Sequence, residues 1–226
     1  GIGMREVHAA PDLPGALLEA RAQALRQFGS DELVVERLLP GARHVEVQII
    51  GDQQGNLLHF FERDCSIQRR RQKLLEEAPA PDLSESMRES LHDAALRLAR
   101  AVDYHGVGTV EFLVDGDEFF LLEMNTRLQV EHPVTEAICD LDLVRLQLDI
   151  ASGCALEIRQ QDVQMLGHAI EARVYAEDPA ANFAPATGTL LACGFSHIEG
   201  VRIDSGVSTG STVGHFYDGL LCKVIA

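Results

Sequence analysis

The chain has 226 residues, enough to bury a sizeable core in one or two domains. Hydrophobic residues make up 46% and charged residues 24%, as in ordinary globular proteins, and no apolar run approaches the ~20 residues of a membrane span. The net charge of −16, from 35 acidic and 19 basic residues, leaves no excess of Lys and Arg for a nucleic-acid backbone.

Residues 14–28 have the apolar spacing of an amphipathic helix, with Pro14 in the first turn and Gly29 after the end. Residues 33–39 predict a strand running into Pro40-Gly41. Residues 44–50 alternate polar and apolar, residues 51–55 turn, and residues 56–62 return, which predicts a hairpin with one wet face. Residues 82–102 predict a second helix, with Ser84 as N-cap and Met87, Leu91, Ala95 and Leu98 as its apolar stripe. Residues 109–114 and 118–123 form another hairpin about the turn 115–117. Residues 135–151 predict a third helix ending at Gly153, and residues 168–175 a further alternating strand. Short strands and glycine-rich turns follow. The order indicates an α+β fold with antiparallel or mixed sheets. The start Gly1-Ile2-Gly3-Met4 and the apolar run 220–226, which reads as a strand cut mid-course, suggest a piece of a longer polypeptide.

The densest chemistry lies in residues 123–136, where Glu123, Asn125, Arg127, Gln129, Glu131 and Glu136 follow the apolar run 119–122. If residues 115–117 are the turn, Val114 faces Glu118 and Glu111 lies opposite Leu121. Glu111 and Glu123 are then diagonal neighbours roughly 7 Å apart at Cα, with Asn125 on the same face. Two carboxylates that close call for a cation or a shared proton, and oxygen ligands suit Mg²⁺ or Mn²⁺; the alternative is a solvated acidic face. Arg127 and Gln129 suit a planar oxyanion such as bicarbonate or a carboxylate, with Glu131 as a nearby base; the alternative is an ion pair between Arg127 and Glu131. Arg63, Arg69, Arg70, Arg71 and Lys73 form a cationic knot that suits an anion or stands as a solvated face. Glu36 with residues 37–39 makes a hinge that can offer backbone groups to a flat heterocycle, and Gly1–Gly3 offers a weak glycine-loop signal. Cys65, Cys139, Cys154, Cys193 and Cys222 include no CxxC pair, so no zinc site is expected, and free thiols point to the cytoplasm, or to the mitochondrial matrix in a eukaryote.

Residues 62–73 (ERDCSIQRRRQK), 76–81 (EEAPAP) and 123–136 (EMNTRLQVEHPVTE), in that order, closely resemble the biotin carboxylase component of biotin-dependent acyl-CoA carboxylases, a family of the ATP-grasp type. The resemblance runs from Gly1 to about Lys223. It implies an ATP-grasp domain over residues 1–160, N-terminally truncated and with residues 1–38 part of the lid, followed by a truncated C-terminal domain over residues 166–226. It implies a ligase that uses ATP and Mg²⁺ or Mn²⁺ to activate bicarbonate as carboxyphosphate and carboxylates biotin on a carrier domain. By resemblance, Glu36 and the backbone of Leu38 and Leu39 hold adenine, and His44 and Gln68 lie near ribose and phosphates. Lys73 binds the transferring phosphate. Glu111, Glu123 and Asn125 hold the metals; Arg127, Gln129 and the Val130 backbone bind bicarbonate; Glu131 is its base. Arg173 stabilises the biotin enolate. Carrier and carboxyltransferase partners, and a homodimer, are expected. The resemblance also puts half of the nucleotide site before Gly1, so the isolated segment is expected to have little or no activity.

The sequence departs from the family pattern at Ile2, where Lys or Arg is usual, at Arg71, where many members have His, and at Gly219 in Tyr217-Asp218-Gly219. Ile2 puts one lid contact in doubt. Residues 171–179, with Asn182-Phe183, resemble most the subunits serving methylcrotonoyl-CoA and propionyl-CoA carboxylases. Rival readings are another ATP-grasp ligase, such as carbamoyl-phosphate synthetase, and a non-catalytic assembly module.

Overall fold

The hairpin predicted over residues 44–62 lies in an eight-stranded sheet in the computed structural model, which describes residues 3–226. Two compact units divide the chain, with the boundary between Ala42 and Arg43.

In the first unit, α1 (Leu13–Phe28) is the predicted helix, and Gly29 takes the left-handed conformation (φ 73°) while donating its N–H to Leu25 O. The strand predicted over 33–39 is not formed. Val34 and Val35 favour extended backbone, but a strand needs a ladder partner, and these residues remain 86% and 68% exposed with no sheet neighbour among the described residues. Gly1 and Ile2, and with them the glycine-loop stub and the unusual lid position, lie outside the described residues.

The second unit contains, in chain order, β1 (Arg43–Gly51), β2 (Leu57–Arg69), β3 (Gln72–Ala78), α2 (Glu85–Ala101), β4 (Gly106–Asp115), β5 (Glu118–Asn125), α3 (His132–Cys139), α4 (Leu143–Ala151) and β6 (Ala169–Tyr175). Then come β7 (Glu177–Asp178), β8 (Ala184–Pro185), β9 (Gly188–Thr189), β10 (Arg202–Ser205), β11 (Thr212–Val213) and β12 (Leu220–Ile225). The large sheet has the order β10-β12-β6-β3-β2-β1-β4-β5, and its pairings are antiparallel. The expected antiparallel α+β class holds.

Ser84 caps α2 by accepting from Met87 N at 3.2 Å. Buried Met87, Leu91 and Ala95 pack with Leu96 and Ala99 on Val45, Val47, Ile49, Val110, Phe112 and Val114, and Leu98 is partly buried at the edge. The other set of alternating residues (His44, Glu46 and Gln48 on β1, Thr109 and Glu111 on β4) therefore faces away from α2. That face was expected to be wet, yet β1 is buried continuously from Val45 to Gly51. Period-two alternation reports two different faces, and here the second is a polar interior.

The third predicted helix is two helices. Asp140 takes the left-handed conformation (φ 51°) and ends α3, and Asp142 caps α4 by accepting from Arg145 N at 2.8 Å. Short acidic side chains bond nearby backbone, which favours helix ends over helix interiors. The β4–β5 register also differs from expectation. Asp115 pairs with Glu118, and a bulge after Glu111 sets Glu111 directly opposite Glu123 rather than Leu121.

Gly51 is a close-approach position: a Cβ there would sit 2.2 Å from the backbone oxygen of Tyr104. Gly51→Ala is expected to lose about 3 kcal/mol of stability by forcing β1 off the segment before β4, read as a shifted urea midpoint.

Candidate active site

The polar face of the sheet collects one row of side chains per strand. It comprises His44, Glu46 and Gln48 from β1, Arg63 from β2, Thr109 and Glu111 from β4, Lys73 and Glu76 from β3, Glu171 and Arg173 from β6, and Lys223 from β12. Residues 129–135, at the start of α3, cover it through hydrogen bonds to Arg63 and Lys73.

Arg63 is fully buried at the centre. Its Nε donates to Glu46 Oε1 at 2.7 Å, Nη1 to Gln48 Oε1 at 2.7 Å and Thr135 Oγ1 at 2.8 Å, and Nη2 to Thr109 Oγ1 at 3.2 Å and Gln129 Oε1 at 2.9 Å. Every donor of the guanidinium is used. Burial alone would lower its pKa, but Glu46 and Glu131 outweigh that and raise it.

Lys73 spends its three donors on Glu46 Oε2 at 2.5 Å, Glu131 Oε1 at 2.5 Å and Glu111 Oε1 at 2.9 Å. Burial works against its charge, and Glu46, Glu131 and Glu111 hold it protonated well above the usual lysine range. Arg173 donates from Nε to Glu76 Oε1 at 2.6 Å and from Nη2 to Glu131 Oε2 at 2.9 Å. Glu131, almost fully buried, is thus gripped by one cation on each oxygen. His44 lies with Nε2 2.7 Å from Glu111 Oε2, and its Nδ1 accepts from Gln68 Nε2 at 2.8 Å. Burial pushes Glu111 up, but the bond from His44 and the charge of Lys73 overcome it and bring Glu111 down to about 2.

On the neighbouring strand, Asn125 Nδ2 donates to Glu111 Oε1 at 3.3 Å and to Glu123 Oε1 at 3.0 Å. The three residues converge, with Glu123 exposed and Glu111 buried. The two carboxylates and the Asn125 carbonyl are the hard oxygen ligands that Mg²⁺ or Mn²⁺ prefers, although Asn125 turns Nδ2 to both carboxylates and its Oδ1 to Arg127. A second compact group, His44, Glu46 and Glu111, has ligand atoms within 4.8 Å of one another, but the ammonium of Lys73 already bonds both its carboxylates. Arg127 donates to Asn125 Oδ1 at 2.9 Å and to Leu128 O at 3.2 Å, and among the described residues it forms no ion pair with Glu131. Gln129 Nε2 donates to Glu111 Oε1 at 2.6 Å, and Val130 O accepts from Lys223 Nζ at 2.6 Å.

Lys73, Glu131, Arg173, Glu111, His44, Gln68 and Gln129 are therefore joined in one network, and Glu123, Asn125 and Arg127 adjoin it. Glu36, Leu38 and Leu39 belong to the other unit, beyond α1. Sequence reasoning passed over Arg63 as one member of a cationic knot, and missed Glu46, Gln48, Glu76, Glu171 and Lys223 altogether. The signal was present: β1 alternation put Glu46 and Gln48 on one face, and only the assumption that polar means solvated hid them.

Residues 1–159 match the family described as Carbamoyl-phosphate synthase L chain, ATP binding domain, and residues 171–226 match the Biotin carboxylase C-terminal domain. The chain belongs to the biotin carboxylase family. It is 48% identical to methylcrotonoyl-CoA carboxylase subunit alpha, mitochondrial, of Arabidopsis thaliana, over 100% of this chain and 31% of that protein. It is 47% identical to Biotin carboxylase 2 of Bacillus subtilis, over 100% of this chain and 51% of that one. Among solved structures, the biotin carboxylase domain dimer of Hydrogenobacter thermophilus 2-oxoglutarate carboxylase, in complex with MgADP, ADP and bicarbonate, superposes with a TM-score of 0.95 at 39% identity, covering 99% of this chain and 50% of that chain. The Campylobacter jejuni biotin carboxylase gives 0.93 at 41% identity, with coverage of 99% and 50%. The chain thus has the ATP-grasp fold and spans from about a third to half of the length of the curated relatives it matches. No helix among the described residues is long and apolar enough to cross a membrane.

Two outcomes follow for the network. Arg63→Met leaves Glu46 buried without its main partner and is expected to lose about 4 kcal/mol in urea unfolding. Because the folded pKa of Glu111 lies near 2, below its ordinary 4.5, its stabilising contribution is complete above about 4.5 and is lost as pH falls through 2. Acid unfolding of Glu111→Gln should accordingly show a shallower pH dependence than the parent.

Proposed function

We propose that this chain forms part of the catalytic centre of a biotin carboxylase, which carboxylates biotin on a carrier protein with ATP and bicarbonate, via carboxyphosphate, within an acyl-CoA carboxylase. The observation that carries the reading is Glu131 held between Lys73 and Arg173, with the Glu111–Asn125–Glu123 group beside it. Glu131 accepts the proton of bicarbonate. Lys73 exchanges carboxylate partners for the transferring phosphate, so the site is charge-balanced before substrate arrives. Arg127, Gln129 and the Val130 backbone orient the planar anion, and Arg173 steadies negative charge on the ureido oxygen of biotin. Glu111, Glu123 and Asn125 would hold Mg²⁺ or Mn²⁺, which neutralises phosphate charge when bound. His44 and Gln68 face ribose and phosphates, and Glu36, Leu38 and Leu39 supply the adenine contacts.

The domain assignment is part of the same proposal: residues 1–160 belong to the ATP-grasp domain, with 1–38 in its lid, and 166–226 to the C-terminal domain. The partners are a biotin carrier, a carboxyltransferase and a second copy of the protein. The methylcrotonoyl-CoA carboxylase relatives support an acyl-CoA acceptor of that type, and their mitochondrial location supports the matrix if the source is eukaryotic. The match of residues 171–226 favours biotin over ammonia as the acceptor.

The test is made on the full-length protein. Bicarbonate-dependent ADP release should be stimulated by free biotin, and Glu131→Gln should lower it by about 10²–10⁴-fold. Glu123→Gln should weaken Mn²⁺ binding at least about tenfold by calorimetry. Stimulation by ammonia instead of biotin would turn the assignment to carbamoyl transfer, and a wild-type protein that binds no Mn²⁺ would leave only an assembly role.

A further inference from the structure

Glu76 on β3 and Glu171 on β6 are direct cross-strand partners, and both are fully buried. Like charges placed opposite each other in a sheet repel, and burial removes the water and salt that would screen them. The surrounding charges do not offset two anions cleanly. Arg173, on β6, binds Glu76 Oε1 and shares its charge with Glu131. Lys223, on β12, stands 3.9 Å from Glu171 but directs its hydrogen bond to Val130 O, and Asp204 of β10 lies 3.7 Å from it. Glu46 on β1 and Glu131 before α3 add negative potential, Arg63 on β2 is consumed by its own partners, and on α3 Glu136 is paired with Arg202 while His132 bonds Gln129 O.

Hydrogen bonding tells the same story. Glu76 Oε2 and both oxygens of Glu171 have no hydrogen-bond partner among the described residues. Ionised carboxylates are acceptors only, and leaving three such oxygens unserved in an interior is costly. A carboxyl proton supplies the missing donor and cancels one of the two opposed charges.

We propose that Glu76 and Glu171 hold one proton between them at neutral pH, and that the pair releases it when Glu131 becomes neutral, keeping the charge beside Arg173 constant. The direction of titration agrees. Burial pushes Glu76 up to about 7, with Arg173 opposing and Glu131 adding, and pushes Glu171 up to about 8 against the pull of Lys223. Such a pair titrates as a unit.

The proton balance is closed. Glu131 takes one proton from the hydroxyl it serves, the hydroxyl oxygen keeps the electron pair and the negative charge, and the carboxylate bonded to Arg173 becomes neutral. The pair passes one proton to water, and one negative charge returns beside the same guanidinium. No bond to carbon changes, no electron moves, and Arg173 stays protonated throughout. Glu76 and Glu171 are positioning residues, acting on the reacting centre through Arg173. The coupling to Glu131 during turnover rests on its reading as the base; the shared proton does not.

The experiment uses full-length protein labelled with ¹³C at glutamate carboxyls, followed by infrared and NMR titration. At pH 7 the wild type should show a protonated-carboxyl band that is lost in Glu76→Gln and in Glu171→Gln. Should either variant fail to fold, the wild-type NMR titration alone decides, through glutamate carbons with midpoints near 7 and 8. Glu131→Gln, which removes a neighbouring negative charge, should lower those midpoints by about one pH unit. Raised folded-state values also make the pair's stabilisation complete below the ordinary carboxylate range and lost as pH rises through 8, a slope that Glu171→Gln should flatten. Absence of the band at pH 7, its survival in both glutamine variants, or midpoints unmoved by Glu131→Gln would overturn the proposal. A catalytically inactive protein that keeps the band and the shift would refute only the base assignment of Glu131, whereas an active protein without the band would refute only the proton pair.

Discussion

The structure depends on the buried guanidinium of Arg63. A sheet whose second face carries Glu46, Gln48, Thr109 and Glu111 should attract water, and water would pry the covering segment away. Arg63 prevents this by giving each of its donors to a different polar group on β1, β4, the segment before α3, and α3 itself. It converts a polar face into an interior that can be packed. Residues 129–135 are attached to the sheet by this residue and by Lys73, so the geometry of Gln129 and Glu131 follows from it.

Once the layer is closed, its charges set one another. Glu46 is shared by Arg63 and Lys73, Glu131 by Lys73 and Arg173, and Glu76 leans on Arg173. A change of charge at one member is felt along the row because little solvent intervenes. The layer crosses the division between the two family matches. The strands β6, β12 and β10, contributed by residues beyond 168, extend the same sheet that β1 to β5 begin, and Arg173 and Lys223 reach the segment holding Glu131 and Val130. The C-terminal part thus completes the charge balance of the site and does more than follow it in sequence.

Much of this was legible from sequence, and the failures share one cause. Local signals located α1, α2, the two hairpins and β6, because capping residues and periodicity act over a few positions. The long motifs named the side chains that converge. What escaped was set by distant partners. The segment 33–39 has strand composition but, among the described residues, no neighbour to pair with. The bulge after Glu111 shifted the register, because hairpin reasoning counts residues outward from a turn and cannot detect an insertion. Glu46, Glu76, Glu171 and Lys223 acquire their importance from burial against one another, which alternation alone leaves undecided between solvent and interior.

The β2–β3 turn shows how such distant contacts are used. Arg69 pairs with Gln72, so Arg70 and Arg71 form a two-residue turn with both at positive φ, 52° and 66°. Glycine or asparagine suits these positions, and ordinary side chains there cost about 1 kcal/mol each. The turn is nevertheless held from outside. Arg69 is ion-paired with Glu177 and lies 4.1 Å over the ring of Phe183, while Arg70 donates to Asn182 O at 3.2 Å. Lys73 is the second residue after Arg71, and its ammonium must meet three carboxylates at once. A tight turn fixed by segment 177–183 removes the slack that a flexible glycine turn would allow, so the local strain is offset by the placement of the cation on which Glu46, Glu111 and Glu131 converge.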